Sequence, residues 1–116
     1  MSVSASPVLR AIASQLASCL DDYGQELDGL LRKPTDEQLY AAASKRIDEL
    51  RQLSASHPQL ALRWVELLIR HFEFTHGLLR LQAEGCEAGE LEQLHASLKG
   101  AVSALAAKST QLTRAA

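Results

Sequence analysis

Apolar residues recur along this chain every three to four positions, in four stretches separated by breaks that carry proline or glycine. Ser6-Pro7 has the form of an N-cap followed by proline at the first helical position. Val8, Leu9, Ile12, Leu16, Cys19, Leu20, Tyr23, Leu27 and Leu30 then repeat at helical spacing. Arg32 and Lys33 suit the negative end of a helix dipole, and Pro34 stops the helix because the residue before a proline avoids the α region. Thr35 with Gln38 three residues on has the capping-box form, and Leu39, Tyr40, Ala43, Ile47 and Leu50 make a narrow second stripe. Ser56-His57-Pro58-Gln59 repeats the device ahead of a long third stretch. The run from Glu84 to Gly89 reads as a compact turn, after which Leu91, Leu94, Leu98, Ala101, Val102, Leu105 and Leu112 form a last seam. The pattern predicts helices over residues 7–31, 36–55, 57–83 and 90–112, with residues 1–5 and 114–116 as loose ends. Short connections make neighbours antiparallel, so the expected class is all-α, a four-helix antiparallel up-down bundle forming one domain over 1–116.

The third stretch departs from the rest. At about 100° per residue, Leu60, Trp64, Leu67, Leu68, His71, Phe74 and Leu78 share one side. Leu62, Val65, Ile69, Phe72 and Leu79 carry apolar surface well beyond it. Arg63, Glu66, Arg70, Glu73 and Arg80 fill the remaining strip, with Glu66 and Arg70 spaced for an ion pair. A bundle helix needs an apolar stripe of somewhat over ~100°, and this one covers more than half the circumference. The excess has two explanations: the helix sits centrally and touches all three others, or a further chain covers it. The second nominates Leu62, Val65, Ile69, Phe72, His76 and Leu79 as an interface for a homodimer or for a partner helix.

Composition agrees with helices: 47% of the 116 residues are hydrophobic but only 4% aromatic, and β-branched residues are few. A chain of this length buries a core without disulfides or a structural metal. The net charge of -2, with both signs interspersed, offers no basic field for nucleic acid and no polybasic run for an anionic membrane. No long apolar run follows a basic start and none is long enough for a membrane span, so a cytoplasmic protein is expected. Cys19 falls on an apolar stripe as a small hydrophobe, and Cys86 lies among acids that discourage a thiolate, so both read as free thiols.

Candidate chemistry centres on histidine. Glu73–His76 and Glu92–His95 each read Glu-x-x-His, the pair that di-iron bundles project inward, with Glu26 and Glu49 available as the lone acids. Their positions on the helices point away from a shared centre, and no metal or other cofactor is expected. His71 and His76 are five apart and diverge around the helix. His71 falls among core positions, with Thr75 one turn on as the expected hydrogen-bond partner. Leu94-His95-Ala96-Ser97-Leu98-Lys99-Gly100 resembles the histidine phosphotransfer motif, with three residues between His and Lys where that family has two. The resemblance implies a signalling bundle with His95 as phosphoacceptor and Lys99 as its phosphate partner. Gly24 and Gly29 in the first helix read as tolerated weak points or close-packing positions. No serine or cysteine triad, phosphate loop or paired-cysteine zinc spacing occurs, so an enzyme is not expected. The leading expectation is a small interaction module, an adaptor similar in size and architecture to small bacterial secretion chaperones.

Overall fold

In the computed structural model the described residues are 7–55, 57–84 and 88–114. They form four helices: α1 over Pro7–Arg32, α2 over Glu37–Ala55, α3 over Pro58–Glu84 and α4 over Ala88–Arg114. The all-α bundle anticipated from periodicity is the fold, and no strand occurs among the described residues.

Local chemistry sets the helix ends. The chain leaves α1 through the Lys33 amide, which donates to Gly29 O at 2.8 Å, and Asp36 N donates to Lys33 O at 3.1 Å. Asp36, not Thr35, caps α2: its Oδ1 accepts the Leu39 amide at 3.0 Å. The carboxylate outcompetes the threonine hydroxyl because its charge also complements the helix dipole. At the start of α3 the His57 Nδ1 accepts the Gln59 amide at 3.3 Å; the expected cap Ser56 lies outside the described residues, as do Ser6 and Cys86. Helix α4 begins at Ala88 and runs to Arg114. The expected turn is therefore shorter, with Gly89 inside the helix, and the end expected to be loose at 114 is helical. Glycine costs little in a first turn, where half the backbone bonds are absent anyway.

Helix α1 packs against α2 and α4, and α3 packs against the same two, while backbones across the diagonals stay apart. The arrangement is a square, with α2–α3 its thinnest side. Helix α2, at 19 residues, is also the shortest element, with Ala43, Leu50 and Ser54 as its buried residues. The centre is filled by Leu16, Leu20, Tyr23, Leu27 and Leu30 of α1, Leu60, Trp64, Leu67, Phe74 and Leu78 of α3, and Leu91, Leu98, Val102 and Leu105 of α4. Burial of leucines at about 1.5–3 kcal/mol each is what drives the four helices together.

Three expectations change in the structure. Helix α3 is a corner of the square: its backbone packs on α2 and α4 only, and it meets α1 through side chains, His71 on Tyr23 among them. Val8 and Tyr40, both placed on core stripes by spacing, are exposed. Arg63–Glu66 at 3.8 Å and Arg70–Glu73 at 2.9 Å pair at i,i+3, in place of the expected Glu66–Arg70 pair. The close-packing role of glycine holds at Gly29, where a Cβ would stand 2.8 Å from Leu39 Cδ1. No helix among the described residues is long and apolar enough to cross a membrane.

Candidate functional site

In a square bundle each helix turns one quadrant outward, and the four quadrants differ in kind. Helix α1 exposes Arg10, Ser14, Ser18, Asp21, Asp22 and Gln25. Helix α4 exposes Glu92, Gln93, Ser97, Ser103 and Thr110 with a few small residues between, and α2 exposes Glu37, Gln38, Lys45, Asp48 and Arg51. Helix α3 instead exposes Leu62 (71%), Val65 (49%), Ile69 (51%), Phe72 (61%) and Leu79 (56%), with exposed His76 among them. Val8 and Tyr40 are the other large apolar side chains exposed among the described residues, and they stand apart on α1 and α2. Isolated apolar residues are ordinary on a protein surface, whereas a continuous row is not.

The row has a strict order. Leu62, Val65, Ile69, Phe72, His76 and Leu79 alternate spacings of three and four, the heptad signature of a helix that packs along another helix. Leu60, Trp64, Leu67, His71, Phe74 and Leu78 follow the same alternation on the inner side. The two stripes lie roughly 150° apart at 100° per residue. One flank of the outer stripe borders α4, where Gly77 approaches Leu94 and Arg80 pairs with Glu90. That flank carries Glu66, Glu73 and Arg80. The other carries Ala61, Leu68 and Thr75, partly or wholly buried. The six side chains nominated from sequence thus form one open, apolar, helix-long surface with a charged margin on one side.

The histidine chemistry resolves differently. His71 is buried, and its Nδ1 lies 2.7 Å from Tyr23 Oη; Thr75, its expected partner, donates instead to the Phe72 carbonyl at 3.2 Å. Desolvation pulls the His71 pKa down from 6.5 to about 4, and burial pushes the Tyr23 phenol far above its usual range. The pair is therefore a neutral hydrogen bond inside the core. Both side chains belong to the packed core of the bundle.

His95 turns to α1. Its Nε2 donates to Asp28 Oδ1 at 2.9 Å, and Lys99 Nζ stands 3.1 and 3.3 Å from the same carboxylate. The Asp28 carboxyl loses some hydration, but the hydrogen bonds from Lys99 and His95 outweigh this and hold its pKa below the usual value. The ring packs on Phe74 at 5.9 Å and the side chain is only 15% exposed. A phosphoacceptor nitrogen needs an open approach and no carboxylate against it, so this geometry counts against the phosphotransfer role. Lys99 likewise serves Asp28.

The Glu-x-x-His pairs fare no better as a metal centre. Glu73 pairs with Arg70, His76 lies on the outer face, and Glu92 is exposed. Glu26 and Glu49 both converge on Arg46, at 3.3 and 3.1 Å. Among the described residues no group of three or more His, Cys, Asp or Glu side chains is placed to hold a metal ion. Cys19 is buried, its thiol 3.7 Å from Glu49 Oε2, and burial followed by the Glu49 charge pushes its pKa up to about 11, the opposite of an activated nucleophile.

The Tyr23–His71 and Asp28–His95–Lys99 contacts escaped the sequence reading because their partners are 48, 67 and 71 residues apart. Only the rotation of each helix within the bundle brings them together. Comparison with protein-family models, with curated proteins and with solved structures finds no match.

Proposed function

We propose that this protein is a non-enzymatic interaction module of the adaptor or secretion-chaperone-like kind, which binds protein through the outer face of α3. One observation carries the reading: of four outward quadrants, only that of α3 is a heptad row of large apolar side chains, each about half or more exposed. Fully burying such a side chain contributes roughly 1.5–3 kcal/mol, and an amphipathic helix laid along the row buries all of them together. The titratable groups support the same reading from the other direction, since His71, His95 and Cys19 are each committed to internal contacts.

Site-specific photocrosslinking in cells of the source organism tests it. A photoreactive residue at position 69 is expected to give covalent adducts with protein, and the same residue at exposed Ser97 on α4 is expected to give few. Equal yields at the two positions, or no protein adduct from position 69, overturn the proposal.

A further inference from the structure

We infer that the chain covering this face is a second copy of the protein, packed antiparallel on α3. The inference rests on reading the α3 outer face as a protein-binding surface, and adds the identity and orientation of its occupant. Two features of the row lead to it: its register and its charged margin.

In an antiparallel helix pair each residue of one heptad position faces the other heptad position of the opposing helix. A two-fold axis passing between Arg70 and His71 sets Ile69 against the partner's Phe72, Val65 against the partner's His76, and Leu62 against the partner's Leu79. Every member of the row then has a counterpart, with no overhang at either end. Larger side chains face smaller ones at the centre. Half-buried Leu68 lies nearly level with the partner's Thr75 on one flank and extends the apolar contact.

The charges favour the same orientation. On the margin bordering α4, Glu66, Glu73 and Arg80 follow at seven-residue intervals, and Arg70 sits one turn from Glu73 at 2.9 Å. Reversal of direction brings Glu66 opposite the partner's Arg80 at both ends. The same alignment sets Glu73 beside the partner's Glu73 on the axis, and the Arg70 of each chain flanks that pair, so the four charges there balance. A parallel pair instead lays this margin over the flank of Ala61, Leu68 and Thr75, where no side chain can answer a charge. It also stacks His76 on the partner's His76 and Phe72 on the partner's Phe72. The charged margin thus meets opposite charges only in the antiparallel direction, and both chains present the same patch, as a two-fold interface does.

A contact made by one helix from each chain lies at or below the small end of specific interfaces, roughly 1,200 Å² in total, so the expected dimer is one of about micromolar affinity. Sedimentation of the full chain from about 0.1 to 100 μM spans that range. The expected result is a reversible monomer–dimer equilibrium, weakened roughly 100-fold or more by Ile69→Glu, which sets like charges in the centre of the contact. Circular dichroism should show Ile69→Glu as helical as the parent, because the position is half exposed. Disulfide trapping then reads orientation in a Cys19→Ala, Cys86→Ser background. A mixture of Leu62→Cys and Leu79→Cys chains is expected to crosslink between the two variants, and Leu62→Cys alone is not. A monomer throughout the range, a dimer indifferent to Ile69→Glu, or efficient self-crosslinking of Leu62→Cys overturns the inference. A monomer that still gives adducts from position 69 to other proteins overturns only the second copy, and leaves the binding surface in place.

Discussion

Helix α3 carries two stripes of closely similar composition. Leu60, Trp64, Leu67, His71, Phe74 and Leu78 face inward; Leu62, Val65, Ile69, Phe72, His76 and Leu79 face outward. Each holds one phenylalanine and one histidine among aliphatic residues at the same alternating spacing, and the inner stripe adds Trp64. The inner stripe meets α2, α4 and the side chains of α1, and water is excluded from it. Among the described residues the outer stripe has no helix packed on it, and its side chains stay about half or more exposed. Hydrophobic content therefore does not decide which side of a helix becomes core. The stripes on the other helices decide, and α1, α2 and α4 each offer one apolar side. The histidines show the consequence: His71 has a phenol as its partner and stays neutral, whereas His76 lies open to solvent.

Truncating the same residue type on each stripe tests this difference most severely. Phe74 is fully buried, and Phe74→Ala removes packing and leaves a cavity, a loss of about 3–5 kcal/mol. Phe72→Ala is expected to change stability by about 0.5 kcal/mol or less, as surface substitutions do. Urea unfolding followed by Trp64 fluorescence measures both. It should be done near 0.1 μM, where pairing through the outer face is dissociated and does not add to apparent stability. A Phe72→Ala loss approaching that of Phe74→Ala would mean that the outer stripe belongs to the fold of the single chain.

The histidine of the inner stripe gives a smaller, pH-dependent effect. The folded-state pKa of His71 is lowered from 6.5 to about 4. Above pH 6.5 both folded and unfolded chains hold this imidazole neutral, so its titration has no effect on stability. Between 6.5 and about 4 the unfolded chain takes up a proton that the folded chain refuses, and stability falls as pH falls; below about 4 the loss levels off. The size is roughly 3 kcal/mol over the window. Replacing both partners, Tyr23→Phe with His71→Leu, leaves no orphaned buried polar group and should flatten this part of the profile. Unfolding free energies between pH 4 and 7 check the point, and equal slopes in the two proteins would show that burial of His71 does not govern its titration.

The contrast also explains what the sequence made legible. The outer row lies on one helix, so its spacing alone displays it, and the six residues nominated from periodicity are the ones found side by side. Pro34 and Pro58 marked their helix boundaries for an equally local reason. Competition between neighbours was harder to read: Asp36 caps α2 where Thr35 also had the right form, and Gly89 begins a helix where glycine suggested a turn. Whether α3 stood at a corner or at the centre could not be read from it alone, because the answer lies in how narrow the α2 stripe is. Asp28 gave no signal at all, since it meets His95 and Lys99 only after α1 and α4 take up their relative rotation.

The smallest effect belongs to Leu62, the most exposed member of the row at 71%. Leu62→Gln keeps the unbranched stem and nearly the same helix propensity, so α3 itself loses little. In the dissociated chain the side chain touches water before and after folding over most of its surface, and its exchange for an amide should shift stability by no more than about 0.5 kcal/mol in either direction. Surface hydrophobicity should nevertheless drop, which binding of a hydrophobic fluorescent dye to the folded chain can measure. Combining Leu62→Gln with Ile69→Gln and Phe72→Gln should remove most dye binding while the unfolding midpoint stays close to that of the parent. A midpoint that falls steeply as the glutamines accumulate would mean that the outer stripe already has a neighbour inside the chain, and the distinction between the two sides of α3 would be lost.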